Sequence, residues 1–307
     1  MDEAVPAVQQ QVNHARYRGQ RQGHYESFFL RTNHPTRPLA FWIRYTLFSP
    51  RHDPSHALGE LWAIFFNGET GQHAAAKREF PLGDCRFEPA AFSVRVGAAQ
   101  LGPHGLQGAV QGKAHALAWD LKYAGSSPPV FLLPLNLYAG PFPAAKSLVS
   151  LPLAHFTGHL AVDGEQITIT DWVGSQNHNW GARHTDLYAW GQVAGFDDHP
   201  DSFLEVATAR LRFGPVWTPP LTLLVLRHAH REYVLTHLIQ GIRARGQFDY
   251  FTWTFGSKTS AIEIEGQISA PRHAFVGLNY SNPPGGSKQC LNTKIAGCTL
   301  QTIEGAI

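Results

Sequence analysis

At 307 residues the chain is long enough for two ordinary domains and for cores that need no disulfide or metal staple. Only 16% of it is charged and the formal net charge is +2, which gives no electrostatic footprint for a nucleic acid or other polyanion and argues against disorder. Eight Trp, nineteen Phe, nine Tyr and a single Met suit strands and shaped pockets better than adaptable helical grooves.

Residues 1–23 are polar and aperiodic, which fits a short helix or a mobile tail, and they lack the apolar core of a signal peptide. No run of about 18 apolar residues occurs, so no membrane span is expected and the expected location is the cytoplasm. Cys85, Cys290 and Cys298 read as free thiols of a reducing compartment, although a Cys290–Cys298 disulfide stays open.

From His24 onward the signals are those of strands: HYESFFLRT, LAFWIRYTLFSP, GELWAIFF and FSVRVG. GLQGAVQGKAHALAWDLKY reads as two strands with Gly112 near the turn. Ser126–Lys146 is too rich in proline for a long helix or a central strand, and it predicts a domain junction near residue 145. Two all-β domains are therefore expected, 24–145 and 146–307. In the second, GHLAVDGEQITITDW predicts a hairpin turning at Asp163-Gly164. Further short strands follow, LTHLIQGIRA could form a helix, and so could part of 292–307. Many short, evenly spaced strands imply sandwiches or barrels.

The densest stretch is Asp171–Phe196, which gathers three Trp, two His, two Asp, two Gln and two Asn. Its Gly174–Gly181 part has too many Gly and Asn for a clean strand and reads as a loop or bulge. If Arg183–Val193 is a strand, His184, Asp186, Tyr188, Trp190 and Gln192 share one face, and Thr185, Leu187, Ala189 and Gly191 the other. An acid, an imidazole, a phenol and an indole on one face are the groups that line a ligand pocket. A structural hydrogen-bond network is the competing explanation.

This block, GSQNHNWGARHTDLYAWGQV, with the preceding FTGHLAVDGEQITITDW, resembles the core motif of the lipocalin-like AttH/carotenoid-hydratase superfamily, which includes tocopherol cyclase and decalin-forming Diels–Alderases. HYESFFLRTNHPTRPLAFWIRYTLFSP, GELWAIFF and GLNYSNPPGGSKQCLNTKIAGC are similar to the openings and endings of members, so the resemblance runs from about residue 24 onward. It implies two consecutive lipocalin-like β-domains, a hydrophobic pocket and no cofactor. It further implies a hydratase, cyclase or isomerase acting on an isoprenoid-, polyene- or polyketide-like molecule. The alternative is a non-catalytic carrier of a hydrophobic ligand.

Alkene hydration or cyclisation needs a carboxylic acid kept protonated by an apolar setting and aromatic faces for the carbocation. Asp186, Tyr188 and His184 are the candidate catalytic groups. Trp190, Gln192, Trp180, His178, Trp172 and Asn177 are the candidate substrate contacts. His228 and His230, two apart in RHAHREY, could share a strand face, but no third ligand accompanies them and no metal is expected. Arg31, Arg37, Arg44 and Arg51 are expected to be solvated or paired with carboxylates. No Gly-x-Ser-x-Gly and no Gly-x-Gly-x-x-Gly occurs, so neither a hydrolase elbow nor a dinucleotide fingerprint is indicated.

Overall fold

A computed structural model describes residues 7–305. Helix α1 (Ala7–Val12) leads into β1 (His24–Asn33), β2 (Leu39–Ser49), β3 (Leu58–Asn67), β4 (Ala74–Pro81), β5 (Cys85–Phe87), β6 (Val94–Val96), β7 (Ala99–Gly102), β8 (Gly105–Gln111) and β9 (Ala116–Ala124). Then come β10 (Val130–Phe131), β11 (Ala145–Val162), β12 (Glu165–Gly181), β13 (Leu187–Phe196), β14 (His199–Arg210), β15 (Arg212–Phe213), β16 (Val216–Trp217), β17 (Leu221–His228) and β18 (Arg231–Leu235). Helix α2 (Leu238–Arg243) precedes β19 (Arg245–Phe248), β20 (Thr252–Lys258), β21 (Ile262–Ser269), β22 (Val276–Ser281), β23 (Ser287–Asn292) and β24 (Gly297–Glu304). The last of these is a strand where a helix had been an option, because Gly297–Glu304 pairs antiparallel with β21 over its whole length. Among the described residues no helix is long and apolar enough to cross a membrane.

The chain forms two compact units, but they are not consecutive. The first comprises the chain up to Pro129, Ser147–His184 and Val276–Ile295; the second comprises Val130–Lys146, Thr185–Phe275 and the chain from Ala296. The single boundary expected near residue 145 is thus replaced by several crossings. The proline-rich stretch belongs to the second unit, and the β22–β23 hairpin returns to the first.

The first unit is built on one antiparallel sheet in the order β4-β3-β2-β1-β12-β11-β9-β8-β7-β6-β5. Strand β4 lies against β8 and β9, so the sheet curls into a nearly closed barrel. Strands β1, β2 and β3 are buried on both faces, and β2 and β3 are accordingly mostly apolar. The inward face fills the barrel: Phe28, Phe41, Tyr45 and Phe156 are 0% exposed, and Trp119 and Trp172 nearly so. The indole of Trp119 donates to the Tyr45 hydroxyl at 3.0 Å, which in turn donates to the Gln100 carbonyl at 2.9 Å, so the polar tips are satisfied as well. The interior is a packed core.

The β11–β12 hairpin turns at Asp163-Gly164, both with positive φ (51° and 90°), as a two-residue turn of this kind requires. Gly174–Gly181 is not a loop: it continues β12, paired residue for residue with β1. Its glycine is needed there, since a Cβ on Gly174 would lie 1.9 Å from the Arg31 carbonyl oxygen. Its Gln176 and Asn177 are buried with partners inside the chain.

The second unit contains two four-stranded sheets, β13-β14-β17-β18 and β19-β20-β21-β24. Leu204, Val206, Leu224 and Leu226 of one meet Trp253, Phe255, Ile262 and Ile264 of the other in a shared core. Ala189 and Val193 of β13 pack on that core, and a Cβ on Gly191 would clash with Ile268 and Trp253. The small-residue face of β13 therefore looks into the sandwich. His228 and His230 do not share a strand face, because β17 ends at His228 and Ala229-His230 form a turn with positive φ.

Candidate active site

The other face of β13 carries Tyr188, Trp190 and Gln192, opposite Ala209, Ala207 and Glu205 of β14. The Trp190 indole N–H donates to Glu205 Oε1 at 2.7 Å and Gln192 Nε2 donates to Oε2 at 2.8 Å. Glu205 is 1% exposed, and its neighbours on that face are Phe203 at 0%, Val225 at 1% and Leu223 at 4%, with Arg227 opposite Phe203. A carboxyl so desolvated must be hydrogen-bonded, and here both oxygens receive donors, the arrangement suited to a carboxylate. Tyr138, also of this unit, lies within electrostatic reach. Burial, with a smaller contribution from Glu205, raises its phenol well above the ordinary value, so it stays protonated.

The strand face does not extend back to His184 and Asp186. Strand β13 begins at Leu187, so the alternation assumed for Arg183–Val193 holds only for its second half. Asp186 is half-buried in the preceding segment, and its Oδ2 accepts the Arg212 backbone N–H at 3.1 Å. Tyr188 is 43% exposed.

His184 falls in the first unit. Its ring stacks on Tyr25 at 4.0 Å between centroids and lies 5.7 Å from Tyr280, and its backbone N–H donates to Asn282 Oδ1 at 3.1 Å. Burial, then the nearby Arg44, brings its pKa down to about 3, so the imidazole is neutral near pH 7. The Tyr280 ring also meets Trp62, at 5.7 Å, and the Arg44 guanidinium, at 4.5 Å. Arg44 is 7% exposed and Arg31 5%, which overturns the solvated reading for both. The expectation holds for Arg37, which pairs with Glu69 at the surface.

The upstream part of the block serves the barrel. His178 is 0% exposed; its ring stacks on Phe28 at 4.1 Å, its Nε2 contacts Glu26 Oε1 at 2.8 Å and its Nδ1 contacts the Val12 carbonyl at 2.8 Å. Glu26 also accepts backbone N–H bonds from Arg16 and Tyr17 and contacts His24 Nε2 at 3.1 Å. Trp180 packs under the Arg16 guanidinium at 5.2 Å. Asn177 donates to Ser175 Oγ at 2.9 Å, and Trp172 is part of the barrel core beside Phe41.

A separate cleft of about 110 Å³ in the second unit is lined by Phe196, His199, Ser202, Leu226, His228, Leu300 and Thr302. Ser202 Oγ and His228 Nδ1 are 2.8 Å apart, and the two imidazole rings meet edge to face at 4.6 Å. Among the described residues no group of three or more His, Cys, Asp or Glu converges in a metal-ligating set, and Cys85, Cys290 and Cys298 form no disulfide.

Glu205 and Arg44 were the residues sequence reasoning missed. Each was visible as a charge inside an apolar run, FLEVA and LAFWIRYTLF, a pattern that signals a buried charge with a specific role.

No protein-family profile matches the chain. It is 24% identical over 278 residues, 89% of this chain and 80% of the other, to an uncharacterised protein, Rv0493c, of Mycobacterium tuberculosis. Among solved structures it is similar to an AttH assignment, NE1406 of Nitrosomonas europaea, with a TM-score of 0.62, 13% identity and coverage of 99% and 98% of the two chains. It is also similar to kievitone hydratase from Nectria haematococca, with a TM-score of 0.54, 14% identity and coverage of 92% and 89%. Identity that low carries the fold and not the activity: the chain shares the lipocalin-like all-β fold of these two structures.

Proposed function

We propose that the chain is a cofactor-independent enzyme of the hydratase, cyclase or isomerase type, acting on a hydrophobic small molecule, with the Trp190–Gln192–Glu205 face as its reactive surface. The observation that supports it is Glu205, a carboxyl 1% exposed, fixed at both oxygens by an indole and an amide among mostly apolar neighbours. Such a group is oriented and desolvated, as a proton-transfer residue must be. In this reading Glu205 takes or returns the proton, Trp190 offers an aromatic face to positive charge developing on carbon, and the protonated Tyr138 supplies a hydrogen bond. The kinship in fold with a hydratase is in keeping with it. Asp186, with its backbone partner and partial exposure, is assigned no proton transfer here, and His184, being neutral, can only accept or donate a hydrogen bond. The filled barrel interior gives a carrier no chamber there.

Native mass spectrometry of protein from its own host would supply the ligand, and turnover of that compound is the assay. Glu205→Gln, which keeps shape but not basicity, is expected to lower kcat by about 100-fold or more while ligand affinity stays within a few-fold. Asp186→Asn should stay within a few-fold of the parent. Full activity in Glu205→Gln would end this assignment, and stoichiometric binding with no turnover by the parent protein would make the chain a carrier.

A further inference from the structure

We propose that the first unit contains a carboxylate-binding position centred on Arg44 that takes a hydrophobic acid. The inference rests on the reading that a hydrophobic small molecule is bound at all; what it adds is the charged head group and the residue that reads it.

Arg44 lies in the middle of β2, 7% exposed, in a run with no other charge. One of its nitrogens donates to Ser27 Oγ, at 2.6 Å. Its Nε–H is buried with no hydrogen-bond partner, and among the described residues no carboxylate pairs with it. The one carboxylate on the neighbouring strand that could serve, Glu60, is engaged by Lys77 Nζ at 2.6 Å and by the Trp62 indole N–H at 3.1 Å. Around the guanidinium stand aromatic faces, Tyr280 at 4.5 Å and Trp42 at 5.8 Å.

A second cation shares the Trp42 ring. Lys294 Nζ lies 5.9 Å from its centroid and donates to neutral oxygens, Asn292 Oδ1 at 2.6 Å and the Thr293 carbonyl at 3.4 Å. The residue as a whole is only partly buried, but burial of the ammonium, and then Arg31, brings its pKa down to about 7. His184, stacked between Tyr25 and Tyr280, is held neutral by burial and by Arg44. Arg44 is thus a buried cation with one N–H left without an acceptor. Desolvated cations persist when an anion completes them, and the planar fork of an arginine matches a carboxylate in particular. The aromatic walls suit a hydrophobic body attached to that carboxylate better than a multiply charged phosphate.

The test is the affinity of the full chain for matched pairs differing only in the head group, oleate against oleyl alcohol and retinoate against retinol, by quenching of tryptophan emission. The parent protein is expected to bind each acid at least tenfold more tightly than its alcohol. In Arg44→Gln that preference should fall below twofold while alcohol affinity is kept. Circular dichroism checks the fold of the variant. If it does not fold, Tyr280→Leu, which removes the cation–π face and the phenol beside Arg44, should reduce the acid preference severalfold. Equal affinity for acid and alcohol in the parent, no binding of either at 1 mM on the order of the weakest specific complexes, or an acid preference that survives Arg44→Gln overturns the proposal. Glu205→Gln should leave the preference intact. An acid-selective protein without turnover therefore fails the catalytic reading alone, and equal affinity for acid and alcohol in a protein that turns over its ligand fails this one alone.

Discussion

Glu26→Gln is expected to destabilise the protein by about 3–5 kcal/mol, the usual cost of breaking a buried charged network by removing one partner. The side chain is 0% exposed and collects the backbone N–H groups of Arg16 and Tyr17 together with contacts to His24 and His178. A glutamine would keep the volume but turn a donor toward groups that need an acceptor. The chain entering the barrel at Arg16–Tyr17 would then lose its attachment, so loss of protection from hydrogen exchange should concentrate there. The pH dependence carries the same information. Burial alone would raise the Glu26 pKa, but hydrogen bonds from His178 and His24 and the charge interactions with them outweigh it and bring it down to about 2. A folded-state pKa below the unfolded value means that the stabilisation is complete above about pH 4.5 and is lost as pH falls toward 2. The corresponding free energy is roughly 3 kcal/mol. Denaturant titrations at pH 7, 5 and 3 should show this loss in the parent protein and a flatter profile in Glu26→Gln. A cost below about 1 kcal/mol at pH 7 would mean that the network contributes little.

Gly174→Ala is expected to be at least as damaging, about 3 kcal/mol or more, because the added methyl meets main chain and not a side chain that can turn away. Its Cβ would stand 1.9 Å from the Arg31 oxygen and 2.6 Å from the Thr32 Cα, so β1 and β12 would have to separate at the centre of the barrel. Gly277, on β22, has nothing within 4 Å of such a methyl, and Gly277→Ala should shift stability by less than about 0.5 kcal/mol. Thermal and urea unfolding of the two variants side by side checks the contrast; similar midpoints for both would show that the barrel yields at Gly174.

These two residues bear on how the dense block from Asp171 to Phe196 could be read. Its glycines and asparagines have the composition of a loop, and nothing local distinguishes a loop glycine from one demanded by a neighbouring strand. What makes 174–181 a strand is β1, about 150 residues earlier in the chain and itself buried on both faces. The same holds for His178. An imidazole in a polar block reads as a pocket residue until Glu26 and Val12 are seen at its two nitrogens.

The strand alternation, by contrast, was legible where it was local. Leu187–Val193 alternates as written: Ala189, Gly191 and Val193 turn to the second sheet, and Tyr188, Trp190 and Gln192 turn away from it. The error lay in extending the period through Arg183–Asp186, whose residues carry no apolar alternation to anchor a register. Arg44 in β2 and Glu205 in β14 were missed, although a charge flanked on both sides by apolar residues is hard to reconcile with a solvated face.

By itself, then, the sequence determined the all-β class, most strand positions and the Asp163-Gly164 turn, all of which follow from side-chain periodicity and turn chemistry within a few residues. The tertiary structure alone decided which polar residues became barrel scaffolding, such as Glu26 with His178, and which became a desolvated candidate site, such as Glu205. It also decided that the units are interleaved along the chain. The reason is physical: the partner that satisfies or orphans a buried charge comes from a strand far away in sequence, and pairing between strands leaves no local mark.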